Sequence, residues 1–275
     1  MPAPDPLLPL RHLTARDRTL LSWLAEHYVL TTEQIAQALF PSLRAAQLRL
    51  TLLHRIGALD RFAFARTGEP GSGLWRYTLG PLGARLHRDA WHDPDNPAAR
   101  PARTHIERRT RIAGSPRLGH LLGVNGFFTA LVGHARTCDD AQLTTWWSEQ
   151  HATAVFASRS PKLRPDGYGI WTHHDRDVEF FLEYDTGTEP VGRVVGKLVA
   201  YERLAEQTGT ARALLLYVPD SRRRERLLAD IAGAPLLTPV AVAAHTPAPH
   251  EPVWYLPGRP DPLPLHLLPT GDPAD

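Results

Sequence analysis

Three short runs with apolar residues at helical spacing follow one another between Thr14 and Gly57, and from Leu59 the spacing changes to that of strands. Thr14 precedes ARDRTLLSWLAEHY, where Leu20, Leu21, Leu24 and Tyr28 recur on one side. A threonine in that place accepts a backbone N–H of the first turn. Thr31 or Thr32 caps TEQIAQALF, Pro41 and Ser42 interrupt the pattern, and LRAAQLRLTLLHRIG runs to a glycine stop at Gly57. ALDRFAFAR and LWRYTLG, on either side of TGEPGSG, read as a β-hairpin over residues 59–79, and PLGARLHRDAW as a short helix. Helix, helix, helix, hairpin is the order of a winged helix-turn-helix, here residues 12–91, in which the third helix enters the major groove of DNA.

The phase of that third helix places Leu43, Ala46, Leu50 and Leu53 on one face and Arg44, Gln47, Thr51 and Arg55 on the other. The polar stripe suits duplex DNA: Arg44 and Arg55 for phosphate or guanine, Gln47 for adenine, Thr51 for a thymine methyl. Arg61, Arg66 and Arg76 on the hairpin would lie over the neighbouring backbone. The other reading is a solvated face of a protein-binding winged helix.

Charge divides along the chain. Residues 1–136 carry 18 Arg against 10 Asp and Glu, a net +8, and residues 137–275 carry 13 Arg and Lys against 19 acids, a net −6. A basic half is the footprint expected of a phosphate-binding surface, and an acidic half either gathers carboxylates at a metal or is merely solvated. The single cysteine, Cys138, excludes an internal disulfide and Cys-pair zinc fingers. No run of apolar residues is long enough for a membrane span and no secretory signal opens the chain, so a cytoplasmic protein without membrane contact is expected.

HDPDNPAARPARTH, residues 92–105, reads as a linker, followed by a basic run of Arg103, Arg108, Arg109 and Arg111 that either braces DNA or keeps the linker soluble. Residues 118–136 read as a buried helix opening a second domain, residues 106–245. LTTWWSEQH, PDGYGIWTHH and DVEFFLEYD then read as a three-stranded meander. TEPVGRVVGKLVAYERLAEQTG is a helix with Val194, Leu198, Tyr201 and Leu204 on one side, ARALLLYVP a central strand, DSRRRERLLADIAG a helix and LLTPVAVAAH a strand. The αβββαβαβ order predicts a mixed α/β fold, and the proline-laden tail, residues 246–275, is expected to be poorly ordered.

Candidate chemistry collects at strand ends. Asp166 starts the second strand of the meander, and Glu183 and Asp185 lie near the end of the third with the same parity, so adjacent strands could cluster all three. Hard carboxylate oxygens of this kind suit Mg²⁺ or Mn²⁺ and phosphodiester hydrolysis, with Glu149 as an outer member and Lys197 available to stabilise charge on phosphate. The alternative for Asp166 and Asp185 is turn capping beside Pro165 and Gly187. His173 and His174 ahead of Asp175 read as a solvated turn, and neither a phosphate-binding GxxxxGK[ST] loop nor a histidine-rich relaxase triplet is present.

RPD, a strand, E-x-D and a helix carrying lysine resemble the PD-(D/E)xK nuclease fold, a restriction-endonuclease-like αβββαβ domain. Over residues 14–240 the chain resembles the replication-relaxation family of actinobacterial and plasmid proteins, through LTARDRTLL, RIGALDRF, RLGHLLGVN, WWSE, RPDGYGIW, FFLEYDTGTEP and KLVAYERL. The resemblance implies a DNA-associated role in plasmid or mobile-element replication or transfer, with replication or conjugation proteins as partners and room for a homodimer. The chain departs from the nuclease motif two positions after Glu183, where Asp185 replaces the expected lysine. Lys197 is either a migrated substitute or a surface lysine. The expected function is therefore a DNA-binding protein that is either a Mg²⁺- or Mn²⁺-dependent endonuclease, with Asp166, Glu183 and Asp185 as ligands and Lys197 as helper, or a noncatalytic adaptor or transcriptional regulator.

Overall fold

The computed structural model describes residues 12–64, 75–87, 93–96 and 98–270, and the chain divides into two compact units, Met1–Thr129 and Ala130–Asp275. Both mix helix and sheet. Arg66 and the TGEPGSG segment lie outside the described residues. Among the described residues no helix is long and apolar enough to cross a membrane.

In the first unit the elements run α1 (Ala15–Glu26), β1 (Leu30–Thr31), α2 (Thr32–Leu39), α3 (Leu43–Arg55), β2 (Leu59–Phe62), β3 (Arg76–Leu79), α4 (Pro81–Leu86), α5 (His105–Gly114) and α6 (Leu118–Ala135). Thr14 caps α1 in a reciprocal box: its backbone N–H donates to Asp17 Oδ2 at 2.7 Å while its hydroxyl accepts from the Asp17 N–H. Thr31 and Gln34 repeat the arrangement on α2, and Gly57, at φ 77°, ends α3. Three strands pair antiparallel in the order β1-β3-β2. A side chain on Gly83 would collide with the Ala58 carbonyl oxygen, so α4 can sit against β2 only through glycine.

Residues 106–129, expected to open the second domain, belong to the first unit. The sidechain amide of Asn125 on α6 donates to the carbonyls of His27 and Val29 at 3.1 and 2.7 Å, and Gln34 Nε2 donates to the Leu122 carbonyl at 2.7 Å. Nor does the basic run serve as a solvated brace. Arg108 is buried, donates to Thr78 Oγ1 and to the Leu24 carbonyl, and is held down to about 10 by burial. Arg109 pairs with Asp60 at 3.1 Å, and Arg111 with Glu107 at 2.7 Å. Proline content gave the preceding stretch the look of a linker, whereas these arginines anchor α5 through long-range bonds that local composition does not encode.

The second unit holds one five-stranded sheet in sequence order, β4 (Ala141–Ser148), β5 (Gly167–His173), β6 (Arg176–Tyr184), β7 (Ala213–Val218) and β8 (Val240–Ala244). The first three strands are antiparallel, as expected of a meander, and β6-β7-β8 are parallel. Crossover helices α8 (Val191–Thr208) and α9 (Ser221–Ile231) join the parallel strands. An additional helix, α7 (Glu149–Phe156), interrupts the meander behind a Ser148 cap. Phe156, Tyr168, Phe181, Val194, Leu198, Tyr201, Leu214, Leu216 and Leu227 fill the core between the sheet and these helices.

The tail is ordered, contrary to expectation. Tyr255 bridges Val242 and Trp254 bridges Leu263, both antiparallel, and Trp254, Leu265 and Leu268 are fully buried. A short 3-10 turn, Leu265–Leu267, follows. Proline restricts the unfolded chain and is compatible with order wherever large apolar side chains find a surface to cover.

Candidate functional site

Antiparallel pairing of β5 with β6 sets Gly167 opposite Leu182, which brings Asp166 beside Glu183 at one end of the sheet. The Asp166 N–H donates to the Leu182 carbonyl at 3.0 Å, and Asp166 Oδ2 accepts from the Tyr184 N–H at 2.8 Å. The carboxylate thus fixes the end of the hairpin and is held against β6.

Glu183 shares a strand face with Phe181 and points toward α8. Lys197 Nζ donates to Glu183 Oε2 at 2.6 Å and Tyr201 Oη to Glu183 Oε1 at 2.5 Å. Lys197 and Tyr201 are one helical turn apart, so both project from the same face of α8. Glu189 Oε2 lies 3.7 Å from Lys197 on its outer side. Glu183 and Tyr201 are buried, while Lys197 keeps 38% of its side chain open to solvent.

Burial pushes the Glu183 carboxyl above the ordinary carboxylate range, and the negative charge of Asp166 adds to the shift against the bonds from Lys197 and Tyr201. Burial alone would lower Lys197, but Glu183, Asp166 and Glu189 surround it with negative charge and raise it overall. Tyr201 is raised well above its usual value by burial and by Glu183, with smaller contributions from Asp166 and Glu149. Electrostatically, then, Asp166, Glu183, Lys197, Tyr201 and Glu149 form one group.

Asp185 is engaged elsewhere. Its Oδ1 accepts from the Gly187 N–H at 2.7 Å, and its Oδ2 pairs with Arg223 of α9, which also donates to the Glu189 carbonyl. Equal parity along a strand does not suffice here, because β6 ends at Tyr184 and Asp185 already lies in the turn. Reading the sequence missed Tyr201, taken only as core, and Arg223. The signal for Tyr201 was present in its spacing of four from Lys197.

The donor set fits a hard divalent cation: Asp166 and Glu183 supply carboxylate oxygens from adjacent strands, beside an ammonium that balances their charge.

On α3 the buried face is Ala46, Leu50 and Leu53, and Arg44, Gln47, Thr51 and Arg55 are exposed. Leu43, expected inside, is 44% exposed, and Leu48 and Leu52 add apolar surface beside the polar stripe. Arg61 lies over the Trp75 ring at 4.0 Å and Arg76 over Phe64 at 5.1 Å, so both hairpin arginines are stacked on exposed aromatics.

No curated protein and no solved structure matches the chain. The model of one family, described as replication-relaxation, matches residues 21–214, from α1 through the start of β7. That match takes in Asp166, Glu183, Lys197 and Tyr201 and covers well over half of the sequence, and the chain belongs to the replication-relaxation family.

Proposed function

We propose that this protein binds double-stranded DNA in plasmid or mobile-element replication or transfer, and that its second unit is a PD-(D/E)xK-like endonuclease whose lysine has moved to the following helix. The observation that carries the proposal is the 2.6 Å contact of Lys197 with Glu183, beside Asp166. It supplies, from α8, the ammonium that the sequence lacks two positions after Glu183.

Asp166 and Glu183 would hold Mg²⁺ or Mn²⁺, which supplies positive charge to a phosphate and lowers the pKa of bound water. Lys197, half-open to solvent, presents its charge to the phosphate, while Tyr201 holds the Glu183 carboxylate in place. Asp185 shapes the turn through Gly187 and Arg223 instead of joining this group.

The α1-β1-α2-α3-β2-β3 order supports a winged helix-turn-helix in the first unit, with α3 in the major groove through Arg44, Gln47, Thr51 and Arg55 and the hairpin arginines Arg61 and Arg76 on phosphate. The test is incubation with supercoiled plasmid, with and without Mg²⁺ or Mn²⁺, beside the Asp166→Ala, Glu183→Ala double variant. Nicking that needs both metal and carboxylates is the expected result, and an intact plasmid under all conditions rejects the endonuclease.

A second reading has one observation in its favour. Leu48 and Leu52, 59% and 42% exposed, give α3 an apolar strip suited to a second copy of the chain. In that case the protein is a dimeric, noncatalytic adaptor or regulator, and Leu48→Glu with Leu52→Glu converts a dimer to a monomer in sedimentation without reducing nicking.

A further inference from the structure

On the opposite face of the same sheet, at the far end of β5, five imidazoles and the cysteine collect. Register pairs Tyr168 with Phe181 on the α8 side, so His173, of opposite parity, projects away from Glu183. His134 comes from the last turn of α6, Cys138 from the turn into β4, His173 from the end of β5, and His266 from the 3-10 turn of the C-terminal segment. A tight hairpin turn, with His174 and Asp175 at φ 51° and 58°, holds His173 in place.

We propose that His134, Cys138 and His173 bind a divalent transition-metal ion of the zinc type. One ligand atom from each, a ring nitrogen or the sulfur, lies within 4.8 Å of the others, and Cys138 Sγ is 3.9 Å from His173 Nε2. Tetrahedral zinc, with bonds of about 2.3 Å to sulfur and 2.0–2.1 Å to nitrogen, sets ligand atoms roughly 3.3–3.6 Å apart, so small side-chain rotations close the set.

Two observations independent of that spacing point the same way. His173 Nδ1 lies 3.2 Å from His266 Nδ1; a proton on His173 Nδ1 donated across this contact leaves Nε2 as a bare lone pair facing Cys138. Such an outer hydrogen bond is the usual means of fixing a ligating imidazole. His134 Nε2 and His250 Nδ1 are buried without a hydrogen-bond partner, and the two rings stack at 3.6 Å and 17°. Buried nitrogens left unsatisfied are costly, and a metal ion relieves that cost for a ligating ring. Burial, reinforced among His173, His250 and His266 by neighbouring imidazoles or Arg176, lowers these histidines below their usual pKa and keeps them in the neutral form that coordinates.

Two nitrogens and a sulfur suit zinc, cobalt or nickel and exclude Mg²⁺ as the preferred ion, which separates this site from Asp166 and Glu183. Bound metal would clamp the end of α6 to the β5-β6 hairpin and, through His266, to the C-terminal segment.

The test uses the full chain loaded with Co²⁺, dialysed, and read by metal content and absorption. A stoichiometric ion with a thiolate-to-cobalt charge-transfer band is expected, and because the chain has one cysteine the band reports Cys138 alone. Cys138→Ser should abolish the band, His266→Ala should keep it with affinity about 10–100-fold weaker, and His151→Ala and the Asp166→Ala, Glu183→Ala variant should leave it unchanged. No retained ion, or a retained ion without the sulfur band, overturns the proposal. Because the unmutated protein gives the sulfur signature by itself, a variant that fails to fold does not blunt the test.

Discussion

Lys197 reaches Glu183 across 2.6 Å from the second turn of α8, and the same carboxylate takes its other hydrogen bond from Tyr201 one turn further on. A buried acid with two donors, one charged, is stable only while both remain. Lys197→Met removes the charge and should destabilise the protein by about 2–3 kcal/mol, below the ~3–5 kcal/mol of a fully buried pair because Lys197 is partly solvated. The sign of the pH dependence follows from Glu183. Its folded pKa is raised, so its contribution is fully present below the unfolded value of about 4.5 and is lost as pH rises through the folded value. Without Lys197 that value rises further, and the deficit in Tm relative to the parent should widen from pH 5 to pH 8. A deficit independent of pH would show that the pair does not govern Glu183 ionisation.

Asp17 provides the opposite case. Burial would raise it, but the bonds from Arg49 and Thr14 hold its carboxyl below the usual value. Its contribution is therefore present above about 3.8, the unfolded value, and is lost as pH falls through the folded one. Asp17→Asn should lower stability at pH 7 by about 2–3 kcal/mol, removing a cap and an ion pair that ties α1 to α3. Acid titration followed by circular dichroism should show the variant's deficit shrinking below pH 4.

If α3 docks on DNA, its two exposed arginines neutralise phosphates. The Arg44→Ala, Arg55→Ala variant should flatten the slope of log K against log salt by about two units, since each contact contributes roughly 0.9. An unchanged slope places DNA on another face.

Arg108 belongs to the same basic sequence but acts inside the first unit. Arg108→Met should leave the salt slope as it is and cost about 3 kcal/mol in urea unfolding, because Thr78 and the Leu24 carbonyl lose a buried partner. A change in slope with stability intact would return Arg108 to the surface.

How much of this was legible in the sequence depends on the range of the interaction concerned. Thr14, Thr31 and Gly57 announced their helix ends because capping is settled within four residues, and the strand pattern of β5 and β6 brought Asp166 to Glu183 through plain alternation. Helix α7 was hidden because WWSEQH continues the aromatic pattern of β4 until Ser148 turns the chain. Arg108, Arg223 and Trp254 were misjudged or missed because their partners are many residues away, and composition carries no information about such contacts. The histidine group drew on four separate segments, of which only the His173-His174 pair stood out locally.

The order of strands also bears on how this protein can be cut. The family match ends two residues into β7, yet β7 supplies the hydrogen-bonding partner for Phe180 through Tyr184 of β6, and β8 with Trp254 closes what lies beyond. A fragment ending at residue 214 would bare an apolar strand edge directly beside Glu183, an invitation to self-association. The stretch shared with relatives is thus smaller than the piece that can stand alone in water, and dissection should be guided by the sheet's closure at Leu268.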